Sequence, residues 1–200
     1  MTNGKESFID RKIQEDLSPT RNLSGLHLKI VASIAIIWSL FQLWYASPFP
    51  FMFGVGLFKG LPARAIHLGF ALLLAFLIFP MNKKGKIGFI DIILACSAFL
   101  ACIYIYFFYD QIVDRGGILL DLNFNFLGNQ FILPIELLIG TFGILALLES
   151  TRRVIGVPLV IVAIAFLFFS FFGQYFPEII SHGGLSVKRL VGYHWFDQEA

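Results

Sequence analysis

Along the 200-residue chain, polar positions come in clumps and apolar positions in long runs. Five such runs cover 28–46, 65–81, 87–109, 132–148 and 154–176. None alternates polar and apolar residues in the manner of a membrane barrel strand. A bilayer crossing takes roughly 20 mostly apolar residues in a helix, within about 17–25. The shortest runs make helices about 25 Å long, sufficient once their flanks are added. Lipid offers no hydrogen-bond partner to an open strand edge, so the pattern predicts helices. The expected fold class is an all-α integral membrane protein, with about five transmembrane helices in a small bundle.

Between the runs the pattern breaks in informative ways. The connection 47–62, "SPFPFMFGVGLFKGLP", is apolar, yet Pro48, Pro50 and Pro62 with Gly54, Gly56 and Gly60 argue against a continuous helix. Such backbone needs a headgroup or protein cover. The connection is expected to be an interfacial cover over the helix ends, or else a docking surface with Phe49, Phe51 and Phe53 in a protein-covered setting, packed with the connection 110–131. Residues 1–27 form a polar tail, in which "FIDRKIQEDL" reads as an amphipathic surface helix or as loose chain. The tail is too long and too acidic for a cleaved signal, so the first run is expected to be an uncleaved anchor.

Composition and charge fix the solvent and the orientation. Hydrophobic residues make up 58% and charged residues 14% of the chain, with mean hydropathy +0.79. A soluble domain carries about 25% charged residues. Net charge is only +2, and no basic run with interleaved aromatics suggests nucleic acid. Lys and Arg fall ten against five on alternate sides of the runs, favouring the side that holds the N-terminal tail, Lys83, Lys84, Lys86, Arg152 and Arg153. The positive-inside rule makes that side cytoplasmic, and five crossings put the C-terminus on the far, periplasmic side.

Reactive motifs are few. Phosphate loops, dinucleotide fingerprints, zinc-protease and nucleophile-elbow patterns are all missing from the sequence. The two cysteines, Cys96 and Cys102, fall on different faces of one helix, beyond bridging distance. No Cys/His metal spacing occurs, and no cofactor is expected.

The remaining chemistry lies in charged residues at the ends of the runs. Arg64 and His67 share a face at the outer end of the second helix, and Glu136 begins the fourth at similar depth. A buried carboxylate needs a partner, and a guanidinium fits it bidentately. A polar clamp of Arg64, His67 and Glu136 is therefore expected, fixing the scaffold. The alternative has Arg64 snorkelling to headgroups, His67 on a backbone carbonyl and Glu136 reaching water. At the cytoplasmic end, Glu149 precedes Arg152 and Arg153 at i, i+3 and i, i+4, and Asp91 lies about 7 Å inside the third helix. These four are expected to form a charge cluster, the alternative being that the two arginines merely mark the inner leaflet.

Three separated blocks carry a family resemblance. They are "RAIHLGFALLLAFLIFP", "IELLIGTFGILALLESTRRVIGVPLVIVAIAFLFFSFFG" and "HGGLSVKRLV". Together they resemble the N-terminal part of fused permeases of TRAP transporters, in the branch served by TAXI-type solute-binding proteins. The resemblance implies a four-helix Q-type domain at 28–150 and a connector helix at 151–177. It also implies a periplasmic tail at 178–200 leading into a large M-type part. That part holds the sodium and substrate sites, so no transport residue is carried over, and the chain alone is expected not to transport. The implied partners are the M-type part, a periplasmic TAXI-type binding protein and the lipid bilayer of a bacterial or archaeal inner membrane. Two other classes stay open: a small subunit of a tripartite tricarboxylate-type transporter, and an intramembrane enzyme or assembly factor. Both charged groups are better explained by pairing than by catalysis, so no enzyme is expected.

Overall fold

The computed structural model describes residues 20, 21, 23–81, 87–116, 118–126 and 129–196. The surface helix considered within the N-terminal tail and the Lys83–Lys86 basic cluster lie outside the described residues. The described elements, in order, are α1 (Gly25–Ala46), a short α2 (Phe49–Phe53), α3 (Gly60–Ile78), α4 (Phe89–Asp114), strands β1 (Leu122–Phe126) and β2 (Asn129–Leu133), α5 (Ile135–Val154), α6 (Val157–Phe172) and a short α7 (Val187–Val191). A 3-10 turn at Gly173–Tyr175 extends α6, and a π-helical turn at Gly192–Phe196 extends α7.

Among the described residues, four helices are long and apolar enough to cross a membrane: α1, α3, α4, and α6 with its 3-10 turn. The outer surface agrees, since Phe107 on α4 and Phe166 on α6 are 71% and 69% exposed. Rings that open to water would be costly, whereas lipid accepts them. The chain is thus a largely helical, multi-pass membrane protein.

Of the five expected spans, the fourth run, 132–148, is the one outside these four, and its boundaries differ from the expectation. Residues Ile132 and Leu133 belong to β2, which pairs antiparallel with β1, Leu122 opposite Leu133. Pro134 then ends the strand, and α5 begins at Ile135 and runs on to Val154. This helix carries Glu136, Glu149, Arg152 and Arg153, so it is less apolar than its neighbours. Only two residues, Ile155 and Gly156, join α5 to α6. Gly156 takes φ +114°, a left-handed value open mainly to glycine, and Pro158 follows in the first turn of α6.

The connection 47–62 is also more helical than its prolines suggest. Pro50 and Pro62 both fall in the first turn of a helix, where a missing N–H costs nothing. Phe49, Phe51 and Phe53 are exposed, against the expectation that protein covers them. Phe49 and Phe53 make ring contacts with Trp44, at 6.2 Å and 6.4 Å between centroids.

At the core of the bundle, α3 packs along α4. Asp91, Ala95, Ala98, Cys102, Ile105 and Ile112 recur on one face of α4 and are buried. Small side chains in that stripe let the backbones approach, as membrane helix pairs require. Gly69 of α3 completes the fit: a Cβ there would lie 3.2 Å from both Cys102 and Phe99. Leu72 and Phe76 then fill the space between the two helices. Cys96 is exposed and Cys102 buried, both free, as their different faces require.

Candidate functional site

Two buried carboxylates organise the opposite ends of the bundle. Each lies in the first turn of its helix, where the peptide dipoles favour negative charge. Asp91 is the third residue of α4, and Glu136 the second of α5.

At the first end, Asp91 receives Arg21 Nη2 at 2.6 Å on Oδ2 and Arg153 Nη1 at 2.7 Å on Oδ1. The Arg21 and Arg153 side chains are 0% and 2% exposed, so both pairs are shielded from water. Arg153 also donates through Nε to Glu149 at 2.8 Å and through Nη1 to the Phe79 carbonyl at 3.3 Å. Its guanidinium lies 5.0 Å from the Phe76 ring centre, a cation–π contact. Glu149 takes a fork from Arg152 at 2.7 and 2.8 Å. The structure therefore brings Asp91, Glu149, Arg152 and Arg153 together. It adds a member that sequence reasoning missed, Arg21, whose backbone N–H also donates to the Ile78 carbonyl at 2.8 Å. Arg21 lies ahead of every apolar run, where the signal for pairing is indistinguishable from an ordinary positive flank.

At the second end, Glu136 is 1% exposed. Its Oε1 accepts from Arg115 Nη2 and from the Tyr104 hydroxyl at 2.9 Å. Its Oε2 accepts from the Leu120 backbone N–H at 2.6 Å. This corrects the expected clamp, because the cation on Glu136 is Arg115 and not Arg64. Arg115 follows directly on α4 and reaches the start of α5, whereas Arg64 and His67 are exposed on α3. His67 serves a different joint. Its Nδ1 accepts from Trp38 Nε1 at 3.3 Å and meets the Gln42 amide, tying α3 to α1. Both partners offer N–H groups, so Nδ1 is the acceptor and the ring proton sits on Nε2.

Two further pairs hold the same end from outside. Lys59, ahead of α3, meets Asp110 near the end of α4 at 2.5 Å, and this hydrogen bond raises the Lys59 ammonium above its usual range. Lys188 of α7 meets Asp121 at 2.9 Å. The Lys59–Asp110 pair is well exposed and contributes little to stability, while Asp121 is half-buried.

The C-terminal segment folds back onto α5. Gly140 and Gly143 are spaced three residues apart on one face, and they leave room there for Val191, Trp195 and Phe196. A Cβ on Gly143 would fall inside the Trp195 ring. A cavity of about 470 Å³ lies beside this contact, walled by α3, α4, α5, α6 and the 192–196 turn. Among the described residues no group of three His, Cys, Asp or Glu side chains is arranged to hold a metal ion.

The fold and these sites define a multi-pass helical membrane protein whose buried charges are engaged in joining helices. Comparison with protein-family models, curated proteins and solved structures finds no match for the chain.

Proposed function

We propose that the chain is a membrane scaffold component of a sodium-coupled TRAP-type transporter, which takes up a small solute delivered by a periplasmic TAXI-type binding protein. On this reading α1, α3, α4 and α5 form the Q-type domain, α6 is the connector and residues 178–200 lead toward an M-type part. The N-terminus is cytoplasmic, the membrane is the inner membrane, and the chain alone does not transport.

The observation that carries the proposal is how the three resembling blocks meet in space. The first is α3, the second is α5 with α6, and the third ends in α7, whose Val191 packs on Gly140 of α5. Blocks far apart in sequence are thus neighbours in one unit. The roles of the charged residues support the same reading, since Asp91 and Glu136 spend their acceptor positions on helix-joining arginines. The surface of α6 supports it further, because no residue of that helix is buried and a connector helix needs a partner or lipid along its length.

Co-expression with an M-type permease part and a TAXI-type binding protein tests the proposal. The three together should drive sodium-dependent solute uptake into proteoliposomes, and omission of this chain should abolish both assembly and uptake. Full uptake without the chain would overturn the proposal, as would catalysis by the chain in isolation.

A further inference from the structure

We infer that the cavity beside Trp195 is a phospholipid site, holding an acyl chain in its depth and an anionic headgroup at the Arg64 end. The inference stands apart from the transporter reading, for it rests on the cavity alone. At about 470 Å³ and partly open, the cavity falls within the roughly 300–1,000 Å³ of ligand pockets. Its walls are apolar along most of their length, with Ala65 and Leu68 of α3, Ile105 of α4, Ile144 of α5 and Phe166 of α6.

The polar groups gather at one end and in one wall. Arg64 stands in the second turn of α3, near the Glu136 end of the bundle, and His194 stands on the 192–196 turn. The His194 Nδ1 lies 3.0 Å from the Leu190 carbonyl. A carbonyl only accepts, so Nδ1 carries the proton there and Nε2 remains for another partner. Trp195 is 5% exposed, and its ring forms part of the cavity wall.

Depth agrees with one leaflet. Leu61 to Leu68 covers about 10 Å of α3, while Ile144 and Leu148 lie about 13 and 20 Å along α5 from its start. Half of a hydrocarbon core is about 15 Å. An acyl chain whose head stays at Arg64 therefore ends near the midplane.

The test uses the tryptophans of the intact chain, which number three. Trp38→Phe with Trp44→Phe leaves Trp195 as the reporter. In vesicles of phosphatidylglycerol and phosphatidylethanolamine with brominated acyl chains, Trp195 fluorescence should be quenched relative to unbrominated vesicles. Ala163→Phe, which fills the cavity from α6, should restore it. Absence of quenching overturns the site, as does equal quenching with and without Ala163→Phe. Native mass spectrometry of the wild-type chain in mild detergent supplies a reading that does not depend on the filled variant. It should show a retained phospholipid, which inorganic phosphate fails to displace. Arg64→Gln should lower the preference for phosphatidylglycerol over phosphatidylethanolamine about fivefold, the factor expected of one basic residue at an anionic lipid surface. Retention of free fatty acid in place of phospholipid, or an unchanged lipid preference in Arg64→Gln, overturns the assignment.

Discussion

Replacing Asp91 by Asn tests whether buried pairing holds the first end of the bundle together. The substitution keeps size and shape but removes the charge facing two guanidinium groups that are 0% and 2% exposed. Loss of one partner from a buried pair costs about 3–5 kcal/mol, because the other charge is left in a poor solvent. The two pairs do not double that figure. They share one carboxylate, and Arg153 keeps Glu149 at 2.8 Å, so most of the penalty falls on Arg21. For a chain of this size, 1 kcal/mol moves the melting temperature by about 2–4 °C, so the expected fall is about 6–20 °C. Cys102 supplies the assay: its thiol is buried on α4, beside the α3 contact, and becomes reactive only as the bundle opens. In a Cys96→Ser background, a thiol-reactive dye followed during heating reports unfolding. The control is Glu149→Gln, whose side chain is 29% exposed and whose loss leaves Arg153 on Asp91. That change should cost about 1 kcal/mol or less, the scale of solvent-accessible pairs. If Asp91→Asn melts no lower than Glu149→Gln, the buried-pair argument is wrong.

Other substitutions probe the second end and the C-terminal segment. Glu136→Gln combined with Arg115→Gln should be less damaging than the sum of the two by about 1–3 kcal/mol, the coupling of residues in one network. Glu136→Gln combined with Arg64→Gln should be additive in the same melting assay, and strong coupling there would restore the sequence-based clamp. Gly143→Ala forces a methyl into the Trp195 ring, and overpacking of this kind costs about 1–3 kcal/mol. The strain should loosen the 187–196 segment and speed tryptic cleavage at Lys188 and Arg189; unchanged cleavage would count against the packing described. Reporter fusions after Lys84 and Arg153 should read cytoplasmic and those near Asp121 and Lys188 external, and a cytoplasmic reading at Asp121 would reverse the orientation.

The class of protein and most helix positions were legible because long apolar runs have a single physical solution in lipid. Boundaries were harder. The run at 132–148 is apolar throughout its first residues, and period alone does not separate a short strand from a helix start. Pro134 was the available signal: it cannot continue a ladder and it opens α5 well. The first-end cluster was readable because Glu149, Arg152 and Arg153 are joined by helix geometry alone, at i, i+3 and i, i+4. The Glu136 partner was not readable in the same way. Similar depth on two helices pointed to Arg64 and His67, whereas Arg115 lies just past the end of α4, where depth gives no such signal. The choice among them depends on how helices rotate and where a connection folds, which no local pattern encodes.

The connection itself explains why Arg115 prevails. Glu136 must satisfy two oxygens in a place that water scarcely reaches, whereas Arg64 lies on an exposed face of α3. Residues 115–120 bring several donors at once. Arg115 Nε is fixed on the Ile118 carbonyl at 3.2 Å, which aims its Nη2 at Oε1. Leu120 offers its N–H to Oε2 at 2.6 Å and accepts the Glu136 N–H on its carbonyl at 3.5 Å. That N–H belongs to the first turn of α5 and has no acceptor within the helix. One carboxylate therefore anchors the connection and satisfies its own helix end in the same contact. The same logic applies to Asp91, where Arg21 and Arg153 arrive from before α1 and from the end of α5. A first-turn carboxylate gains from the helix dipole before any partner arrives, which lowers the cost of burying it. Both bundle ends place their carboxylate there, and each joins segments far apart in the chain through it. A chain joined in this way holds its helices at fixed spacing.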